Sequence, residues 1–87
     1  MEFKETAKMM LSDDYKERFK AEYYQLLIRY ERLKAFNNKI EAGIRTGLLK
    51  DMPEHNCPDD LLSDQQRVMG EYLHILEIRA IIEGIDL

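Results

Sequence analysis

Lys20 to Phe36 reads KAEYYQLLIRYERLKAF. Three tyrosines and two arginines are threaded through a run that contains no glycine or proline. The reading of this run decides the fold, because its apolar residues recur with helical spacing in two sets. Phe19, Leu26, Leu33 and Ile40 lie seven apart, and Tyr23, Tyr30, Asn37 and Ile44 follow each of them by four. That is the seam of a helix packed along a partner helix. Asn37 is its polar member, and a single Asn in such a seam fixes register at some cost in stability. Ala21, Ile28, Ala35 and Ala42 form a second seven-spaced stripe. At ~100° per residue it lies roughly opposite the first, with Tyr24 beside it. A helix with two opposed apolar faces needs two partners. The second helix of the chain supplies one. For the other, the small alanines admit a close neighbour, and a second copy of the chain is expected there, with Ala21, Tyr24, Ile28, Ala35 and Ala42 as the oligomer interface.

Working outward, Ser12 with Asp13 and Asp14 predicts a helix start, since N-cap side chains and first-turn acids satisfy free backbone N–H groups. The predicted helix covers about residues 13–42. Gly43 and Gly47 are read as its end, and Pro53 and Pro58 keep the connection, about 43–58, from continuing it. A second helix is expected over about 59–83, with Pro58-Asp59-Asp60 at its start and Gly84 as its stop. Its apolar face is wide. Leu61, Val68, Ile75 and Ile82 make one row, Leu62, Met69 and Leu76 the next, and Tyr72, Leu73, Ile78 and Ile81 broaden it. The tail Ile85-Asp86-Leu87 is apolar enough to dock. The expected fold is all-α: an antiparallel two-helix hairpin with a short N-terminal helix or arm, one domain over residues 1–87, assembled as an oligomeric helical bundle. An 87-residue chain with one cysteine, Cys57, has a small core and no disulfide framework, which favours self-association and a reducing compartment. The start MEFKETAKMM is charged and is not read as a signal peptide, and no run is long enough to span a bilayer. A soluble, cytoplasmic protein without membrane contact is expected.

The net charge of −4 is unevenly spread. Tyr15 to Lys39 holds seven basic and three acidic residues, whereas Asp51 to Leu87 holds nine acidic residues against Arg67 and Arg79. The two halves can pair with each other across the helices. Alternatively, the basic half carries an anion site: Arg29, Arg32 and Lys34, with Tyr24 and neighbouring tyrosines, supply planar cations and rings suited to phosphates and bases. Duplex nucleic acid is disfavoured by the net charge and the acidic second helix. Tyrosines at seam spacing are foremost core residues, so Phe19, Tyr23, Leu26, Tyr30 and Leu33 are expected against the second helix. Arg29 and Arg32 are expected off the seam, reaching acids of that helix or a bound anion. His55, Cys57 and His74 lack the number and spacing of a zinc site, and Cys57 is read as a small buried residue at the entrance to the second helix. No phosphate-loop or dinucleotide glycine pattern occurs, and no catalytic group set is found. The chain is read as a binding protein without cofactor, not an enzyme.

The runs MLSDDYKERFKAEYYQLLIRYERL, Cys57-Pro58, the QxxxMGxYLxxLExRA pattern from Gln65 to Ala80, and the ending IEGIDL resemble a family of small helical proteins. Phages and prophages of Gram-positive bacteria encode this family, which is related to a crAss-like phage protein. The resemblance covers residues 9 to 87. The helical-hairpin design is also similar, at the level of architecture, to phage sponge proteins that sequester cyclic-nucleotide immune signals (anti-CBASS and anti-Thoeris proteins), oligomers that hold ligand between protomers. That likeness transfers no site residue. It implies an anti-defence protein acting by binding, with a nucleotide signal as ligand. Two alternatives stand beside it: an inhibitor of a host defence protein through the acidic helix, in the manner of an anti-CRISPR, and a structural or assembly protein.

Overall fold

The computed structural model describes residues 1–48, 50 and 52–87. Leu49 and Asp51 of the expected connection therefore lie outside the described residues. Three helices follow one another: α1 (Phe3–Met10), α2 (Tyr15–Thr46) and α3 (Asp59–Glu83). No strand occurs among the described residues. The molecule is a rod of 49 × 25 × 18 Å, its length set by α2, which at ~1.5 Å per residue runs about 48 Å.

The cap of α2 is Asp14 rather than Ser12: its Oδ1 accepts from the Lys16 backbone N–H at 3.0 Å. Ser12 serves one step earlier, accepting from the Asp14 N–H at 3.1 Å and shaping the turn out of α1. At the other end Gly43 does not stop the helix. It is buried under Met52, whose Cγ and Sδ occupy the space a Cβ would need, so the residue is glycine for close packing of the connection. The stop is Gly47, in the left-handed region at φ 74°, where a side chain is costly. Gly84, at φ 70°, closes α3 in the same way, with Ile85 N–H donating back to Ala80 O at 2.8 Å.

The helices α2 and α3 are antiparallel. Their cross-links step along the hairpin in order: Tyr15 to Glu83, Tyr23 to Glu77, Glu22 to Tyr72, Tyr30 over Gly70, and Asn37 to Leu62 and Gln66. The core between them consists of Phe19 and Tyr23 from α2, Leu73, Leu76 and Ala80 from α3, and Ile85 from the docked tail. Leu26 and Tyr30 pack against it half-buried, as does Leu87. Leu33 is half-buried as well. The expected seam thus splits: Phe19 and Tyr23 are buried, and the three residues beyond them are partly covered, because two helices in contact bury only a narrow stripe. On α3 the row that packs is Leu62, Met69, Leu73, Leu76 and Ala80. Leu61, Val68, Ile75 and Ile82 point away and stay exposed.

The second stripe of α2 also finds a partner within the chain. The short helix α1 runs back along α2 and touches no other helix. Thr6, at its centre, is fully buried, and its hydroxyl is satisfied by donating to Phe3 O at 2.6 Å. Ala21 is likewise 0% exposed. It lies on the helical row Arg18, Gln25, Ile28 and Arg32, which is the row α1 follows. Ala21 therefore has no surface left for a second copy, and eight residues of α1 take the place expected of a second protomer at that end. Cys57, expected to be buried, is exposed.

Candidate functional site

The charge halves of the chain do not neutralise each other across the hairpin. The ion pairs among the described residues run within helices or the connection: Arg45 to Glu41, Arg67 to Asp64 and Glu71, Arg79 to Glu83, and His55 to Asp59. Three of the hydrogen bonds that cross between α2 and α3 join a tyrosine hydroxyl to a carboxylate. Tyr23 donates to Glu77 at 2.6 Å, Tyr15 to Glu83 at 2.8 Å, and Tyr72 to Glu22. Burial first, and then the bond to Glu77, push the Tyr23 hydroxyl up to about 12. The bond to Glu83 raises Tyr15, and that same bond holds the Glu83 carboxyl below its ordinary range. Arg79 completes this end. Its Nη2 donates to the Tyr15 hydroxyl at 2.9 Å, its Nε to Glu83 at 3.0 Å, and its guanidinium lies 5.1 Å from the Phe19 ring centre. Among the described residues, no basic side chain of α2 forms an ion pair with an acid of α3.

Two of the basic residues of α2 meet α1 instead. The guanidinium carbons of Arg29 and Arg32 lie 5.6 and 5.7 Å from the centre of the Phe3 ring. This is cation–π distance. Neither arginine forms an ion pair with a carboxylate among the described residues, and both are exposed. Next to them runs an open groove of about 470 Å³, lined by Met1, Glu2, Phe3, Lys4, Ile28 and Arg32. Its floor is apolar, from Phe3 and Ile28. Its rim is cationic, from Arg32, Lys4 and the neighbouring Arg29, with Glu2 as the one acid. Phe3 and Lys4 of the first turn of α1 line the same groove, and Glu2 gives that turn no side-chain cap. Free first-turn N–H groups favour an anion. The arrangement offers apolar side chains and the Arg32 guanidinium in one groove, with the Arg29 guanidinium beside it against the same Phe3 ring.

Of the residues expected to bind ligand, the structure brings Arg29 and Arg32 together and sets Tyr24 and Lys34 apart. Tyr24 is half-buried against the core, its ring edge-on to Tyr23 at 5.1 Å. Lys34 is exposed, ~140° around α2 from Arg29. The expectation that Arg29 and Arg32 reach acids of the second helix is replaced by the contact with Phe3. Phe3 and Lys4 were not singled out in the sequence. Their only signal was an aromatic and a lysine ahead of a capping Ser-Asp-Asp, in a segment too short to show periodicity. Of the expected interface residues, Ile28 is half-buried at the groove, and Ala35 and Ala42 are exposed on the far half of α2.

No group of three metal-ligating side chains occurs among the described residues, and none of their helices is long and apolar enough to cross a membrane. The described residues form a small all-helical protein with an open groove. Residues 13–82 match the Sequestin family, and the chain belongs to it. The matched span holds α2 and α3 almost whole, including Ile28, Arg29 and Arg32; Met1 to Lys4 lie before it. The family name denotes sequestration, a binding type of function rather than catalysis. The match does not confirm the crAss-like relation. No curated protein and no solved structure matches the chain.

Proposed function

We propose that this chain is a phage-encoded anti-defence protein that sequesters a nucleotide immune signal in the cytoplasm of the host bacterium. The observation that carries the reading is that the guanidiniums of Arg29 and Arg32, without a carboxylate partner among the described residues, are set against the Phe3 ring beside an open groove. A signalling nucleotide has two recognition handles, a flat base and a phosphate. Phe3 and Ile28 provide apolar surface for the first. Arg32, Arg29, Lys4 and the first turn of α1 provide charge and donors for the second. Glu2 weakens the field at one edge, so the phosphate is placed at the Arg32 side. Only this local cluster matters for a small anion, and the net charge of −4 does not oppose it as it would a long duplex. Membership in the Sequestin family supports sequestration as the mode of action. We also propose, as part of this function, that the protein works as a homo-oligomer.

A thermal-shift screen of the full chain against cyclic di- and trinucleotides tests the reading. A ligand present at a hundred times its dissociation constant stabilises by about 2.7 kcal/mol. For a domain of this size that is roughly 10 °C or more. Arg32→Ala is expected to fold and to lose the shift. A nucleotide shift that Arg32→Ala retains would place the ligand elsewhere.

A further inference from the structure

We infer that His55 and Asp59 form a proton-operated clasp, which holds down the connection between α2 and α3 when the imidazole carries two protons and lets it open when one is lost. The inference does not rest on the nucleotide reading. Both ring nitrogens of His55 face oxygens: Nδ1 meets Pro53 O at 2.9 Å, and Nε2 meets Asp59 Oδ1 at 2.5 Å. A peptide carbonyl and an ionised carboxylate can only accept. A neutral imidazole has one N–H and one bare nitrogen, so it satisfies one of these oxygens and sets a lone pair against the other. The arrangement closes only with a second proton between Nε2 and Oδ1. Imidazolium against carboxylate is therefore the state the geometry describes.

The clasp sits where it can control the connection. His55 ties the carbonyl of Pro53 to Asp59, the first residue of α3. Phe36 of α2 meets the imidazole edge-on at 5.9 Å, and Met52, just before the clasp, is seated on Gly43 of α2. Because φ is fixed at Pro53 and Pro58, release gives backbone freedom chiefly to Glu54, His55, Asn56 and Cys57. The surrounding charges set the direction of the switch. On the connection, Glu54 adjoins His55 and lines the same surface hollow. On α3, Asp59 is the partner and Asp60 follows it. On α2, Arg32 and Lys39 lie one turn to either side of Phe36, and neither is bonded to the ring. The acceptors prevail: the bond to Pro53 first, and then that to Asp59, raise the His55 pKa. The clasp is complete below about 6.5 and is lost as pH rises through the raised folded value.

Limited proteolysis of the full chain with a glutamate-specific protease, read at the Glu54–His55 bond, is the test. Rates are taken at about pH 5.5 and 8.5, on either side of the ordinary histidine value of ~6.5. Each is divided by the rate on a free peptide of residues 52–58, which removes the protease's own pH dependence. The His55 side chain is 18% exposed and that of Asp59 46%, so water weakens the bond to the charged acceptor. The relative rate of the parent is expected to rise roughly five- to ten-fold with pH. Asp59→Asn is expected to stay closed at both values. Its amide oxygen accepts from the imidazolium, and its amide N–H donates to the bare Nε2 of the neutral ring, so the clasp no longer needs the second proton. His55→Ala, set against its own peptide, is expected to be cleaved fast at both. Helix content by circular dichroism should hold throughout, which separates local opening from unfolding. A parent rate that does not rise, an Asp59→Asn rate that rises with it or is high at both values, slow cleavage of His55→Ala, or loss of helix alongside the rise overturns the inference.

Discussion

Tyr23→Phe isolates the kind of bond that joins α2 to α3. Tyr23 is 8% exposed, its ring in the core with Phe19, Leu73 and Leu76, and its hydroxyl donates to Glu77 at 2.6 Å. The substitution keeps the ring and its packing, so no cavity term arises; truncation to alanine would cost roughly 3–5 kcal/mol. What is lost is one hydrogen bond to a charged acceptor. Such bonds contribute about 1.5–3 kcal/mol when both partners are enclosed. Glu77 is exposed and regains water when the hydroxyl goes, which brings the expected loss to about 1–1.5 kcal/mol at pH 7. For a domain of this size that is a fall of roughly 4–12 °C in Tm. Urea denaturation should show a lower midpoint with an unchanged slope. The pH dependence carries a second signature. The folded hydroxyl has its pKa raised from 10 to about 12. The bond is therefore fully present below pH 10 and is lost as pH rises through the folded value. The gap between parent and Tyr23→Phe should close between pH 10 and 12, and taking this difference removes the parallel titration of Tyr15 and Tyr72. A variant as stable as the parent at pH 7, or a gap that persists at pH 12, would refute the reasoning.

Gly70→Ala should stabilise the protein by about 0.5–1 kcal/mol, read by urea denaturation. The position is inside α3, where glycine costs backbone entropy, and the added Cβ meets Tyr30 Cε2 at an ordinary 3.5 Å. His55 should make thermal stability fall as pH rises above about 6.5. Its bonds to Pro53 O at 2.9 Å and then to Asp59 at 2.5 Å raise its pKa, so its contribution is complete below the unfolded value and vanishes as pH rises through the folded one. A pH series of Tm should show this slope in the parent and not in His55→Ala. Arg29→Ala and Arg32→Ala should each change folding stability by less than about 1 kcal/mol, the range of an exposed cation–π contact, since neither residue is paired with a carboxylate among the described residues; denaturation midpoints check this.

How far the fold could be read in the sequence differs from element to element. The extent of α3 was legible because proline and glycine punctuate it: Pro58 and Gly84 bracket it within a residue. The end of α2 was misplaced at Gly43 because glycine there answers to tertiary packing under Met52, which local rules cannot see. On α3, two apolar rows share the same seven-residue spacing. Periodicity alone could not say that the row ending in the small Ala80 turns inward while the Leu61, Val68, Ile75 and Ile82 row turns out. The charge asymmetry was visible, yet it suggested pairing of opposite charges where the structure uses tyrosine hydroxyls. The candidate site was half legible. Arg29 and Arg32 stand out as planar cations one turn apart, but their aromatic partner comes from Phe3, more than twenty residues away in sequence. A contact of that separation leaves no mark on spacing. Tyr24 and Lys34 were grouped with them by proximity in sequence, and the helix turns them to other faces.

A nucleotide anion held in the groove lined by Phe3, Ile28 and Arg32, with Arg29 beside it, is the central proposal. Its most direct test is calorimetric titration of the full chain with a panel of cyclic di- and trinucleotides, repeated with Phe3→Ala and Arg32→Ala. The account expects at least one nucleotide to bind the parent with an affinity that falls as salt rises, and expects both variants to keep their helix content and lose that binding. No binding by any nucleotide of the panel, or binding that both variants retain, would contradict it.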